Sequence, residues 1–328
     1  MDWKERNVLI TGATGFLGTW LSKDLIEKGA NVIALVRDEI PNMPLRTMGI
    51  FEKLHAAPIG NITNYNSVMR IINEYEVETC FHLAAQTIVG TAKRNPTNTF
   101  RVNIEGSWNI FEAVRNSQTV KELIIASTDK VYGEPMEMPI KETHPLLAEY
   151  PYDASKVCVE RLARTYFTTY GMPVTITRCC NIYGGGDLNF SRIIPGTVRS
   201  IIMNQNPILR SDGTPVRDLI FVKDAANAYV TLAENMHKKG INGEAFNFGS
   251  NAPINMLDLT KEAIKASGKT ELKPDVQGEK KPDAEIDEQY LDPTKANKVL
   301  GWKPEYDLNR GLKETISWYE DYFKKTRA

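Results

Sequence analysis

What the chain lacks narrows its class before any motif is read. It carries almost no net charge: 40 lysines and arginines stand against 41 aspartates and glutamates in 328 residues, leaving −1 at pH 7. That balance removes the usual electrostatic argument for a nucleic-acid or anionic-membrane partner, and neither is expected. No apolar run approaches the roughly 18–20 residues needed to span a bilayer. The opening MDWKERNVLI sets charges directly before a strand-like segment, which is not the pattern of a signal peptide. Cysteine is scarce, and Cys80, Cys158, Cys179 and Cys180 show no metal-ligand spacing. Adjacent Cys179 and Cys180 are poorly placed for a disulfide. Reduced, mostly buried thiols, no metal and a cytoplasmic setting are therefore expected. Internal repeats and low-complexity tracts are also missing.

What is present is ordinary in bulk, 42% hydrophobic and 25% charged, enough to bury a large core. At about 150 residues per domain, the length implies roughly two domains, or one α/β unit with an appended lobe. Apolar runs at Val8–Ile10, Val32–Val36, Thr79–Ala84, Leu123–Ala126 and Val174–Thr177 predict strands. Segments near 16–28, 64–75, 98–116 and 153–170, with apolar residues at helical spacing, predict the helices between them. Such alternation predicts parallel pairing through right-handed crossovers, hence an α/β fold with a doubly wound parallel sheet of the Rossmann type. After about residue 180 the rhythm breaks into GGGDLNF, the loop-like 271–285, and short helices near 192–204, 223–236, 255–267 and 309–325. The expected organisation is a dinucleotide-binding domain over 1–180, to which about 215–250 returns, and a smaller mixed α/β lobe over 181–328.

NVLITGATGFLGTWL sets Gly12, Gly15 and Gly18 directly after a predicted strand and into a predicted helix. Glycine permits the tight turn and lets backbone N–H groups approach a pyrophosphate at the helix N-terminus. YPYDASK contains Tyr152 and Lys156, four apart and so on one helix face. A tyrosine whose pKa is lowered by a nearby ammonium and by the nicotinamide's positive charge deprotonates a hydroxyl as hydride leaves its carbon. Upstream, IIASTDKVYG runs from an apolar strand into Ser127, Thr128, Asp129 and Lys130. On its own, Asp129 beside Lys130 reads equally as a strand-end salt bridge.

Together, the G-x-x-G-x-x-G spacing, the Tyr-x-x-x-Lys pair and the hydroxyl residue at the strand end resemble the extended, sugar-nucleotide-modifying branch of the short-chain dehydrogenase/reductase superfamily. The likeness spans essentially the whole chain, through FHLAAQTIV, NPTNTFRVNIEGSWNIFEAVR and RCCNIYGGGDLNFSRIIPG. It implies a cofactor site built from Gly12, Thr14, Gly15, Phe16, Leu17 and Gly18. Asn61 and Ile62 are implied near the adenine, with Asn61 where the family usually has an aspartate. Leu83, Ala84, Ala85, Ser127 and Cys179 complete it, with Tyr152 and Lys156. Where NAD users carry an acid at the second strand's end, this chain reads ALVRDE. Arg37 there suits a 2′-phosphate and NADP, whereas Asp38 suits NAD, which the resemblance favours.

The resemblance also implies a nucleotide-diphosphate sugar as substrate, with CDP, UDP, dTDP and GDP all compatible, bound mainly by the 181–328 lobe. Gln86, Thr128, Asn181, Arg192 and Arg217 are the implied substrate contacts, Arg217 gripping the diphosphate; Lys280 and Lys281 lie near where a second basic group is often found. 4-Epimerases of this branch follow the hydroxyl residue with small or apolar residues, since they only remove hydride from C4 and return it. A 4,6-dehydratase also needs a base for the C5 proton and an acid for the departing C6 hydroxyl. Thr128-Asp129-Lys130 is similar to the triplet of CDP-glucose 4,6-dehydratases, which makes Asp129 the acid and Lys130 the base. Two departures stand out: the chain is shorter than typical for that group, and it lacks the tryptophan-bearing insertion after the triplet. The expected activity is a nucleotide-sugar 4,6-dehydratase; the alternatives are a 4-epimerase, with Asp129 and Lys130 as bystanders, and a non-catalytic dinucleotide sensor. Segments 98–116 and 153–170 resemble helices that pair across a dimer, so a homodimer is expected, although packing on the sheet accounts equally for their apolar positions.

Overall fold

A computed structural model describes residues 1–135, 137–278 and 286–327. Its central sheet has six strands: β1 (Asn7–Thr11), β2 (Asn31–Leu35), β3 (Thr79–His82), β4 (Glu122–Ala126), β5 (Val174–Cys179) and β6 (Ala245–Phe248). Every pairing is parallel, in the order β6-β5-β4-β3-β1-β2. Beyond β2, the chain makes isolated parallel bridges at Ile33–Ala56 and Val36–Ile59. The longer helices are α1 (Phe16–Glu27), α2 (Tyr65–Glu74), α3 (Gly106–Asn116), α4 (Pro151–Tyr170), α5 (Ile193–Ile202), α6 (Val222–Asn235), α7 (Met256–Ser267) and α8 (Leu308–Arg327). All five predicted strands and most predicted helices lie within two residues of these bounds. β3 stops at His82, two residues before the predicted end, because the chain there leaves the ladder to form the cavity wall.

Covering both faces of a parallel sheet requires apolar residues on both sides of each strand. Val8 and Ile10 pack with Leu21 and Leu25 of α1 and Tyr229 of α6, while Leu9, between them, packs with Val68 and Ile71 of α2 and Phe111 of α3. The same alternation sends Phe81 and Ile124 to the first layer and Cys80, Leu123 and Ile125 to the second. A third core, with Val198 of α5, Leu259 of α7 and Leu312 and Tyr319 of α8, belongs to the C-terminal part of the chain. Phe16, Leu17 and Trp20, on the first turns of α1, pack against it. Trp20 Nε1 also donates to the carbonyl of Gly185 at 2.7 Å.

The expected helix at 98–116 is not uniform. A short helix over Pro96–Phe100, whose cap Asn95 accepts from the Asn98 N–H at 3.1 Å, runs into a π-type turn over Arg101–Glu105 before α3 begins. The wider turn carries Asn103 inward. There its amide donates to Ser155 Oγ at 2.8 Å and to the Gln86 carbonyl at 3.2 Å, and it accepts from the Gln86 N–H at 2.7 Å. The bulge thus ties the start of α4 to the loop after β3.

The chain leaves β1 toward β2 on one side and returns through β3 on the other. That reversal opens a crevice above the carboxyl ends of the strands, where ligands bind in open α/β sheets.

Candidate active site

A cavity of about 1290 Å³ occupies this crevice and extends along residues from the C-terminal part of the chain, among them Asn181, Arg192 and Arg217. It exceeds the roughly 300–1,000 Å³ usual for one small ligand, which leaves room for a dinucleotide and a second molecule. One end is the glycine turn. Gly12 has φ +78°, and a Cβ there would sit 2.8 Å from the Ala84 nitrogen; at Gly18 a Cβ would collide with the Gly12 carbonyl. Strand, turn and helix are therefore packed backbone to backbone. Gly15 caps α1 without a side-chain hydrogen bond, and the first turn holds no acid. Its free N–H groups give the cavity an anion-binding end. Thr14, Phe16 and Leu17 line the same wall, with Leu83, Ala84 and Ala85 opposite.

At the end of β2, Val36 is buried while Arg37 and Asp38 are both exposed. Arg37 Nε donates to Asp38 Oδ2 at 2.5 Å, so the two charges predicted to discriminate between cofactors neutralise each other at the cavity rim. Asn61 lines the cavity too, its side-chain oxygen accepting from the Thr63 N–H at 3.0 Å, beside buried Ile62.

The other wall is the end of β4 with the first turns of α4. Lys156 is 5% exposed, and its Nζ donates to the Ala126 carbonyl at 2.7 Å. Burial pulls its pKa down to about 8, with the Glu160 carboxylate opposing. Thr128 caps a short 3₁₀ turn over Asp129–Tyr132. Its hydroxyl accepts from the Lys130 N–H at 3.3 Å and donates to Asp129 Oδ1 at 3.0 Å. Asp129, 3% exposed, is raised in pKa by burial against the opposing charge of Lys130. Tyr152 is raised by burial and by the Asp153 and Asp129 carboxylates. The side-chain oxygens Ser127 Oγ, Asp129 Oδ2 and Asp153 Oδ1 are buried with no hydrogen-bond partner among the described residues, and all three residues line the cavity. Buried polar atoms are rarely left so, and these three are available to hydrogen-bond with whatever fills the cavity.

Asp153 was not among the residues singled out in the sequence. Burial and the Asp129 charge push its carboxyl up to about 6, with Lys130 opposing. Its sole signal was adjacency to Tyr152, which does not by itself turn a side chain into a cavity. Tyr229 of α6 also lines the cavity, beside Cys179, whose thiol burial pushes up to about 12; nothing local in VKDAANAY foretold that contact.

At the cavity's other end, Asn181 begins a short strand, Asn181–Tyr183, paired with Leu219–Phe221. Arg192 Nη1 donates to Asp187 Oδ2 at 2.9 Å. Arg217 donates to the Val216 carbonyl at 2.8 Å. Asn181, Arg192 and Arg217 all line the cavity, as do Asp129, Lys130 and the other expected residues, with one exception. Gln86 does not line it; its side-chain oxygen turns back to accept from the Ile88 N–H at 3.1 Å while Asn103 holds its backbone. Lys280 and Lys281 lie outside the described residues.

The family model described as GDP-mannose 4,6 dehydratase matches residues 9–315. A CDP-glucose 4,6-dehydratase of Salmonella typhimurium is 29% identical over 338 aligned positions, covering 98% of this chain and 92% of that protein. Among solved structures, UDP-glucose 4-epimerase of Thermotoga maritima with UDP-glucose superposes with a TM-score of 0.84 at 28% identity, covering 97% of this chain and 99% of its own. A dTDP-glucose 4,6-dehydratase of Bacillus anthracis in complex with NAD superposes with a TM-score of 0.82 at 25% identity, covering 97% and 98%. No helix among the described residues is long and apolar enough to cross a membrane.

Proposed function

Because the chain belongs to the family described as GDP-mannose 4,6 dehydratase, we propose that it is a nucleotide-sugar 4,6-dehydratase, converting an NDP-hexose to its 4-keto-6-deoxy form. The observation that carries this reading over epimerisation is Asp129. A carboxyl raised in pKa by burial, with one oxygen on Thr128 and the other unpartnered in the cavity, is equipped to hold and deliver a proton. Removing and returning one hydride at C4 has no use for such a group.

The residues divide the work as follows. The cradle at Gly12, Gly15 and Gly18 and the open end of α1 hold the pyrophosphate of NAD, and Asp38 meets its adenosine ribose, having already drawn Arg37 away from a 2′-phosphate role. When bound, NAD supplies the hydride acceptor and donor. Thr128 orients the C4 hydroxyl and Tyr152 takes its proton, with the Lys156 ammonium stabilising the phenolate. Lys130 takes the proton on C5, acidified once C4 is a ketone. Asp129 protonates the C6 oxygen so that it leaves as water. Arg192 and Arg217 reach the diphosphate from the 181–328 lobe, where planar guanidinium groups suit paired phosphate oxygens. Phe100 and Trp108, 39% and 44% exposed, offer a face for a homodimer next to α4. The four free cysteines fit a cytoplasmic enzyme.

The test is a panel of nucleotide glucoses incubated with the protein in heavy water. A dehydratase yields a 4-keto-6-deoxy product bearing solvent deuterium at C5. Inversion at C4 without solvent exchange would identify the 4-epimerase instead, and no reaction with any sugar nucleotide would leave a dinucleotide sensor.

A further inference from the structure

A buried glutamine that does not line the cavity holds the backbone of the proposed acid. Gln289, 1% exposed, belongs to the short strand Glu288–Gln289, 160 residues away from Asp129 in the chain. Its Nε2 donates to the Asp129 carbonyl at 3.1 Å. That contact fixes which way the amide points, since its oxygen in the same place would face another acceptor. The oxygen, Oε1, is buried with no hydrogen-bond partner among the described residues. Burying half of an amide unsatisfied costs stability. A wholly apolar side chain of the same length would avoid that cost, so what glutamine contributes here is the donor at this one carbonyl.

The strand that carries Gln289 is itself tied to the strand of Arg217. Glu288–Gln289 runs parallel to Val216–Arg217, with Gln289 beside Arg217, and residues paired in this way send their side chains to one face. The Val216 N–H donates to the Asp287 carbonyl at 2.8 Å, and the Asp218 N–H to the Gln289 carbonyl at 3.2 Å. On its other edge Val216–Arg217 is held by Ile254–Asn255. Just downstream, Ile140 pins the chain: its N–H donates to the Tyr290 carbonyl at 3.0 Å, and its carbonyl accepts from the Asp292 N–H at 2.8 Å. Gln289 therefore reaches Asp129 from a segment fixed on both sides. At the acid's own side chain, Thr128 takes Oδ1 and Oδ2 has no partner.

We propose that Gln289 is a positioning residue that sets Asp129 at a fixed distance from the strand of Arg217, so that a sugar nucleotide held there by its diphosphate presents its C6 hydroxyl to the acid. Gln289 touches neither substrate nor cofactor and acts only through the Asp129 carbonyl. Removing its donor frees the acid turn on one side, while Val216–Arg217 stays held by Ile254–Asn255. The loss therefore falls on the step that uses Asp129 and not on binding of the nucleotide. Oxidation at C4, which belongs to Tyr152 and Lys156, is likewise spared.

This role rests on the dehydratase reading, and its failure is distinguishable from that reading's failure. The experiment compares NAD-loaded wild type with Gln289→Met, which keeps the length of the side chain and removes the donor. The substrate is the nucleotide glucose that the wild type converts in the heavy-water panel. Stopped-flow absorbance of reduced nicotinamide reads C4 oxidation, rapid quench reads the 4-keto-6-deoxy product, and calorimetry with the matching nucleoside diphosphate reads binding. Gln289→Met is expected to keep oxidation and nucleoside-diphosphate affinity within about twofold of the wild type. Its elimination should slow by about tenfold to a hundredfold, the cost of a misplaced catalytic group, so that reduced nicotinamide accumulates. In an Asp129→Asn background the same substitution should slow elimination by less than about twofold further, because two residues acting through one group do not add. A full further loss there, an equal fall of oxidation and elimination, or no change in either step overturns the positioning role, while wild-type product formation upholds the dehydratase. A wild type giving no 4-keto product removes the reading and the role together. Should Gln289→Met fail to fold, Gln289→Asn decides: it keeps an amide one methylene too short for the Asp129 carbonyl, and it must show the same split between oxidation and elimination or the proposal falls.

Discussion

Lys156→Met should make the protein more stable at neutral pH while nearly abolishing its activity. The ammonium is 5% exposed, and burial lowers its pKa from 10.5 to about 8. Each pKa unit corresponds to about 1.4 kcal/mol, so the folded state carries a penalty of about 3 kcal/mol for keeping this lysine charged. The sign follows from which state binds the proton more tightly. The folded pKa is depressed, so the full penalty applies below about pH 8 and fades as pH climbs toward the unfolded value near 10.5. Methionine removes the charge and nearly preserves the volume, at the loss of the 2.7 Å bond to the Ala126 carbonyl. That loss costs about 1–2 kcal/mol, for a net gain of about 1–2 kcal/mol at pH 7. Urea unfolding of the wild type and Lys156→Met at several pH values reads this directly. The difference should favour the variant at pH 7 and shrink steadily above pH 8, reversing sign once both lysine states are neutral. In the same variant, turnover should fall by about 10²-fold or more, because the phenolate of Tyr152 loses its neighbouring cation. A variant less stable than the wild type at pH 7 by as much as 2 kcal/mol would refute the claim that burial, and not pairing, dominates at this lysine.

Two further outcomes follow from the same geometry. Asp129→Asn keeps the shape of a carboxyl whose pKa burial raises. Because the folded state holds that proton more tightly than the unfolded one, the wild type loses stability as pH rises through the raised value, and the variant should lack this dependence. Its elimination step should slow by about 10²–10⁴-fold while C4 oxidation persists, so that reduced nicotinamide accumulates in stopped-flow absorbance; equal loss of both steps would count against the acid role. Gly18→Ala sets a methyl against the Gly12 carbonyl and the Ala13 backbone. It should abolish NAD binding measured by calorimetry and lower the melting temperature, whereas unchanged affinity would show that the turn is not the pyrophosphate site.

The legibility of this protein differs sharply between its parts. Strands such as NVLIT and ELIIA were readable because a parallel sheet covered on both faces demands apolar side chains on both, a local property of five residues. The glycine turn was readable because the reason for glycine is local as well: strand, turn and helix are consecutive, and a side chain at Gly12 or Gly18 has no space. The chain's return to the sheet was anticipated only as a segment near 215–250, whereas its strand is Ala245–Phe248, paired with β5. Nothing in AFNF distinguishes it from the short strands of the C-terminal lobe until β5 is there to receive it.

The site shows the same division at finer scale. Sequence alone determined which side chains are chemically able to act, because a hydroxyl, a carboxyl and an amine in succession, followed by tyrosine and lysine at one-turn spacing, are properties of the covalent chain. Whether Asp129 would sit exposed at a strand end or buried with a raised pKa was decided by the fold, through Thr128 and the packing around the 3₁₀ turn. The inward aim of Asp153 and the outward turn of Gln86 were decided in the same way, the second by a π-type turn that swings Asn103 onto the loop after β3. A pKa depends on water excluded and charges gathered from distant segments, and such quantities exist only once the chain has closed around them.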